Sequence, residues 1–522
     1  MKTGRKARAL PSTRQGPQGP LGPLRGPSPF ALRGTEWDPR AFDPWWRSRR
    51  QSLLAGLGAA PRLGLVVLLA AGCTLGPDHQ PPEMLLPAAW SGPLATSPTA
   101  VAQGAWWQRF HDPVLDGLIT RSLAANPDVA KAQASLRAAR ASLAQQRAGL
   151  WPSLDASASV TEQRSSLAAS GYGSGARTYG TWTAGFDADF ELDVFGGQRR
   201  TIESARATAE AAAAERDATV LSLIGDVANA YVQVRGYQAQ LEVARQTLAT
   251  RRDTAALTRG RARAGLVSEL DAVKAEAEAE SAEAAIPPLE QSLAGQVHGL
   301  AVLTGAAPGE LTGLMAPVRP VPTLGGAIVA DAPATLLVRR PDIRAAERRL
   351  AAANAAIGAA EADRYPAVSL AGAIGLNAAR LGNVTDVSSR VWSVAPQVSL
   401  PVFDAGKRAA VVAEREAERD EALASWRATV LTALKEVENA LVGLDREAAH
   451  NARLRRSVRA WQDAAQLARA QYRAGLSNFL DVLDAERSLS EAQDTLAQSD
   501  TALATQAIAL FKALGGGWES AT

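Results

Sequence analysis

The chain has 522 residues, 47% hydrophobic but only 5% aromatic, with 43 Gly, 29 Pro and a single Cys. It lacks the several apolar runs of about 20 residues that a polytopic helical membrane protein needs, and the paired cysteines of a disulfide scaffold. Its formal charge of +3 conceals two populations: 12 Lys+Arg against 3 Asp+Glu precede Cys73, which leaves 44 against 50, a balance of −6, beyond it.

Residues 1–72 read as a leader. The stretch from 1 to about 46, rich in Pro, Gly and Arg, has no role in export and reads as an upstream extension or a start assigned too early. Then come Arg47, Arg49, Arg50 and Arg62, the apolar run from Leu63 to Ala71, and Gly72. That order is a signal peptide's, and about nine apolar residues are too few to span a bilayer. LAAGC resembles a bacterial lipobox, with Ala70 where Leu is usual, so Cys73 is the expected lipid attachment site. Diacylglycerol and an amide-linked chain would supply the two acyl signals that stable anchoring requires. Thr74 follows in place of the Asp that retains lipoproteins at the inner membrane, so the outer membrane is the expected destination. Residues 73–125 read as a lipid-anchored segment ending in a helix, with Trp106, Trp107 and Phe110 as packing anchors.

An internal duplication organises the rest. Pro127, Asp128 and Pro152 recur as Pro341, Asp342 and Pro366, 214 residues on; LDVFGGQRR (192–200) recurs as LPVFDAGKR (400–408), and RAGL at 263–266 as RAGL at 473–476. With the long-helix positions Val220 to Val234, which recur as Val430 to Leu444, these make four colinear blocks at nearly constant offset and define two repeats, 126–335 and 336–522. In each, a Pro-initiated helix runs up to Trp151 or Tyr365, where the next proline ends it. A hairpin follows, at 152–194 and 367–402. Its alternation (Trp182, Ala184, Phe186, Ala188, Phe190; Val394, Val398, Val402) means strands with one apolar face. A helix of about 66 residues then starts near Gly197 and near Ala405. Its core positions, Val220, Ile224, Val227, Tyr231 and Val234, and in the second copy Val430, Leu434, Val437, Leu441 and Leu444, form a heptad seam. Gly265 and Gly475 end the long helices. Partner helices return, with Val482, Leu489, Leu496, Leu503 and Leu510 every seven residues, and Pro287–Pro288 breaks the first of them. At 1.5 Å per residue each repeat is a rod of roughly 100 Å, with a hairpin at one end and a tight turn at the other.

Four strands cannot close a barrel, and only closed barrels satisfy strand edges in lipid. Two copies would give eight strands with a filled interior and three would give twelve around water. The second strand's other face, Thr183, Gly185, Asp187, Asp189, Glu191, Asp193, is acidic and suits a wet bore. The expected fold is therefore mainly α with a small membrane β-barrel part: long coiled-coil helices in a trimeric tunnel, with four strands from each protomer.

RRPDIRAAERRLAAANAAIGAAEADRYPAVSLAG, CTLGPDHQPPEMLLPAAW, WWQRFHDPVLDGLI and the pair ELDVFGGQRR and SLPVFDAGKR together resemble the outer-membrane factor (TolC-like) family, in its lipid-anchored NodT branch, over about residues 73–515. The resemblance implies a homotrimeric channel-tunnel in the outer membrane, extending into the periplasm. A belt of residues about 304–335 and the C-terminal end would circle the rod, and a periplasmic adaptor and an inner-membrane efflux transporter of the resistance-nodulation-division type would be its partners. It implies no cofactor, and no nucleic acid is expected. Asp481 and Asp484, three apart on one helix face, would stack two rings of carboxylates in a trimer. Spacing alone equally allows a solvated first-turn pair, with Asp484 meeting Arg487; the resemblance favours a cation-selective constriction. It also makes Tyr472 and Asp271 candidate tethers, with Ser477 where the best-known relative has arginine. The turns Arg263, Ala264, Gly265, Leu266 and Arg473, Ala474, Gly475, Leu476 become the adaptor-docking surface. Four scattered histidines and one cysteine form no catalytic or metal motif, so no enzyme is expected. The expected function is a passive exit duct for small molecules in a tripartite efflux pump; the alternatives are a protein-secretion duct and a lipid-anchored adaptor or coiled-coil scaffold.

Overall fold

A computed structural model describes residues 74–91, 104–164, 166, 178–325 and 333–518. Cys73 and the leader lie outside the described residues. After a 3-10 turn, Trp106–Phe110, come α1 (Pro113–Ala125), α2 (Pro127–Ala148), β1 (Ser153–Arg164), β2 (Thr178–Leu192), α3 (Gly197–Arg263), α4 (Glu269–Ala284) and α5 (Ile286–Leu303). The second repeat supplies α6 (Pro341–Ala362), β3 (Ala367–Ala378), β4 (Arg390–Ser399), α7 (Lys407–Arg473) and α8 (Phe479–Ala513). Among the described residues no helix is long and apolar enough to cross a membrane.

Local chemistry explains the boundaries. Asn126 accepts hydrogen bonds from the backbone N–H groups of Asp128 and Val129, so it caps α2 ahead of Pro127. The helices before the hairpins end at Ala148 and Ala362, three residues short of Trp151 and Tyr365. A short turn intervenes because residues next to proline avoid the helical region. α3 and α7 each run 67 residues. The break expected at Pro287–Pro288 falls at Ala285, with both prolines in the first turn of α5, where a missing N–H costs nothing.

The four strands form one antiparallel sheet in the order β1-β2-β3-β4. Pairing of β2 with β3 joins the repeats, with Phe186 opposite Ile374 and Phe190 opposite Leu370. The register carries one apolar face across all four strands, through Ala156, Phe186, Ile374 and Trp392. None of the described helices covers it: Phe186 is 53% exposed, Ile374 65% and Trp392 78%. The opposite face sets Asp155 directly across from Asp187, whose carboxylate accepts a 2.9 Å hydrogen bond from Ser157 Oγ.

The core lies where the rods meet the belt. Ile224, Val227 and Tyr231 of α3 pack with Val437 and Leu441 of α7, Leu118 of α1, Leu300 of α5, Met315, and Phe511 of α8. Leu489, Leu496 and Leu503, expected as seam residues, are only half-buried, because α8 rests beside α3 as well as α7 and leaves a groove along that line. Arg235 is fully buried and donates to the Pro317 carbonyl and Gln238 Oε1, with its guanidinium 4.8 Å from the Tyr231 ring centre. Tyr231 donates to Asp112, the N-cap of α1. Burial, and then the hydrogen bond to that carboxylate, push the Tyr231 phenol up to about 12. A raised acid stabilises the fold while protonated, so this contribution is complete below about pH 10, the unfolded value, and is lost as pH climbs towards 12. Tyr231→Phe should cost roughly 1–2 kcal/mol at neutral pH by removing a donor from Asp112. It should also flatten the alkaline fall in stability, read by denaturant titration between those pH values.

The segment following Cys73 is tied to the junction of sheet and rod. Buried Arg200, at the start of α3, donates to the carbonyls of Leu75 (2.8 Å) and Gly76 (3.0 Å) and to Asp78 (2.8 Å). Asn354 holds the Pro77 carbonyl at 2.8 Å. Gly76 has φ +84°, and a Cβ there would stand 2.3 Å from Gly358 Cα, so only glycine fits this crossing.

Candidate pore constriction and docking tip

The far end of the rod is built from two equivalent turns. Leu266 N–H donates to the Arg261 carbonyl and Gly265 N–H to that of Ala262; Leu476 and Gly475 repeat this with Gln471 and Tyr472. Both glycines have left-handed φ, +71° and +74°. These six-to-one and five-to-two bonds close the ends of the long helices and push Leu266 (67% exposed) and Leu476 (79%) outward. The return helices start on side-chain caps. Ser268 Oγ accepts from Asp271 N–H, and Asn478 forms a capping box with Asp481.

Behind the turns, Ala255, Ala275, Tyr472, Phe479 and Val482 make a small apolar cluster separate from the main core. Arginine pairs brace it: Arg259 with Glu269 and Glu276, and Arg469 with Glu486. Hydrogen bonds from Arg259 hold the Glu276 carboxyl below its usual range.

Asp481 and Asp484 are both exposed at the start of α8. Asp481 Oδ2 accepts from Asn478 N–H at 3.3 Å. Among the described residues Asp484 makes no ion pair, with Arg487 or any other cation. Arg263, Ala264, Gly265, Leu266, Arg473, Ala474, Gly475 and Leu476 cluster at the tip, and all eight are open to solvent. Tyr472 is buried, and its hydroxyl points to Thr258 Oγ1 at 3.5 Å. Asp271, half-exposed in the first turn of α4, is not hydrogen-bonded to it.

Sequence reasoning missed Arg261. Its guanidinium lies 4.5 Å from the Tyr472 ring centre and donates to the Tyr472 carbonyl, joining the two repeats at the tip. Its Nε is buried without a partner, as is Ser477 Oγ on the adjoining turn. The available signal was the mismatch between repeats, since the position equivalent to Arg261 in the second copy is Gln471.

A duplicated helical rod bearing an uncovered four-stranded sheet is the protomer architecture of an outer-membrane channel-tunnel. A model of the outer membrane efflux protein family matches residues 118–306 and 332–516, and the chain belongs to that family. It is 35% identical over 458 residues to nodulation protein T of Rhizobium leguminosarum bv. trifolii, covering 86% of this chain and 96% of that protein. It is likewise 35% identical over 470 residues to the antibiotic efflux pump outer membrane protein ArpC of Pseudomonas putida, covering 88% and 96%. The solved structure of the outer-membrane channel OprN superposes with a TM-score of 0.81 at 36% identity, covering 86% of this chain and all of that one. The protein is thus an outer-membrane channel component whose helical part extends into the periplasm.

Proposed function

We propose that the protein is the passive outer-membrane exit duct of a tripartite pump that expels small molecules, working as a lipid-anchored homotrimer. One observation carries the reading: an apolar sheet face left bare, ending in the unpaired edges of β1 and β4. Three copies pairing β4 with the next β1 would satisfy every edge in lipid, put the bare face towards acyl chains and turn the Asp155 and Asp187 face to water. Asp481 and Asp484 would then ring the opposite end as a cation-attracting constriction. Arg261 holds each protomer's two turns together there through the Tyr472 ring and carbonyl, and Tyr472 and Asp271 are the candidate tethers that keep the tip shut. The two RAGL turns, with Leu266 and Leu476 projecting, are the surface for a periplasmic adaptor, which in turn couples to an inner-membrane transporter. Efflux of small molecules is supported by relatives named for an antibiotic efflux pump and a toluene efflux pump.

The test is the purified protein in detergent and then in planar bilayers. The expected result is a trimer by native mass with stepwise ion conductance. A monomer without conductance would overturn the reading.

A further inference from the structure

α6 and α2 are equivalent helices of 22 residues in the two repeats, yet eleven residues of α6 are buried and only Val129 and Leu136 of α2. The contacts explain this. In the upper rod α2 packs on α3, α3 on α6 and α6 on α7; in the lower rod α4 and α5 pack on α3, α3 on α8 and α8 on α7. α6 is therefore sandwiched, while α2, α4 and α5 form one bare flank of the protomer and α7 forms the other.

The duplication says what covers them. Within the chain, the first repeat's long helix packs on α6 and on α8, both from the second repeat. Applying the same relation onward seats α7 against α2, α4 and α5 of a second copy. The repeat offset also gives the register. Thr247 Oγ1 meets Ser490 Oγ at 3.1 Å, and moving each by 210 residues sets Ser457 against Glu280 of the next protomer. Arg348 pairs with Glu210 at 3.2 Å, and the corresponding positions, 214 residues back on α2 and 210 on along α7, are Ala134 and Asp420.

Charge on the two flanks agrees with that register. Arg453 and Arg456 stand beside Ser457, facing the acidic α4 with Glu280. Glu416 and Glu421 stand beside Asp420, facing α2 with Lys131 and Arg137 one turn either side of Ala134. All of these charged side chains are exposed. Among the described residues none of Lys131, Arg137, Arg453, Arg456 or Glu280 forms an ion pair, whereas the face of each long helix that meets its own repeat is paired internally, by Arg245–Glu290 in the first copy and Arg455–Asp500 in the second.

We infer that α7 of one protomer and the α2/α4 flank of a second copy form a charge-coded seam, acid over base on α7 and base over acid on its neighbour. This rests on the trimeric reading above and specifies its subunit contact. An inverted neighbour would place acid on acid and base on base, so the pattern admits only copies aligned in the same direction around an axis along the rod. Exposed pairs each contribute little, so the charges select register and direction while buried area holds the assembly.

The experiment pairs Ser457→Cys with Glu280→Cys, and separately Asp420→Cys with Ala134→Cys, in the full-length protein treated with a short bifunctional maleimide. Each double variant should give a ladder ending at a covalent trimer, while the four single variants give none. Arg453→Glu with Arg456→Glu should lower the trimer yield severalfold, and adding Glu280→Arg should restore it. Native-mass trimers of the unmodified protein with no cross-link in either double variant would overturn the seam and leave the duct intact. Absence of trimer in the unmodified protein would remove both.

Discussion

Channels carrying Asp481→Ala and Asp484→Ala together should lose most of their preference for cations, and block by multivalent cations should weaken by about tenfold or more. The size follows from charge arithmetic. Tenfold in affinity is about 1.4 kcal/mol, less than one unit-charge contact at 4 Å is worth at an effective dielectric of about 20, and three protomers remove six carboxylates. Asp481 also closes the capping box on Asn478, so the double variant loses that reciprocal bond and its first-turn charge, about 0.3–1 kcal/mol of local helix stability. Asp481→Asn with Asp484→Asn retains hydrogen-bonding oxygens without charge and separates the two effects. Reversal potentials in a salt gradient, with a titration of a trivalent blocker, provide the measurement. Unchanged selectivity in both variants would place the constriction elsewhere.

Trp106→Ala should be the most damaging single substitution in the belt, at about 3–5 kcal/mol. The indole is 2% exposed and stacks on Phe511, centroids 5.0 Å apart and planes within 9°. It donates from Nε1 to the Gly516 carbonyl at 3.2 Å and meets Trp107 and Phe110 edge-on. It therefore binds the turn before α1 to the end of α8. Urea unfolding followed by circular dichroism should show a lower midpoint, partly recovered by Trp106→Phe, which restores the stacking area but not the donor. A loss below about 1 kcal/mol would mean that the belt repacks around the cavity.

Much of this architecture is legible because it is written twice. Prolines at 127 and 341, glycines at 265 and 475 and the period-two strands act through backbone sterics and local side-chain direction, so each reads directly from neighbouring residues. The break at Pro287–Pro288 stood out for the same reason, as the place where one copy disagrees with the other. What stayed hidden depends on long-range placement. Pairing of β2 with β3 has no local signal. Nor does anything near Arg200 or Arg235 mark them as arginines that reach backbone carbonyls elsewhere in the chain. The α8 leucines misled in the opposite sense, since a heptad spacing fixes which side faces a partner but not how closely that partner approaches.

The Arg200 clasp has a consequence for insertion. Thr74 packs against Gly196, whose added Cβ would meet Thr74 Cα at 2.8 Å, four residues beyond the end of β2. Acyl chains on the residue before Thr74 would enter the bilayer beside the foot of the hairpin, with no slack tether between them. On the lipid-anchored reading proposed above, such a short link raises the effective concentration of the strands at the membrane surface.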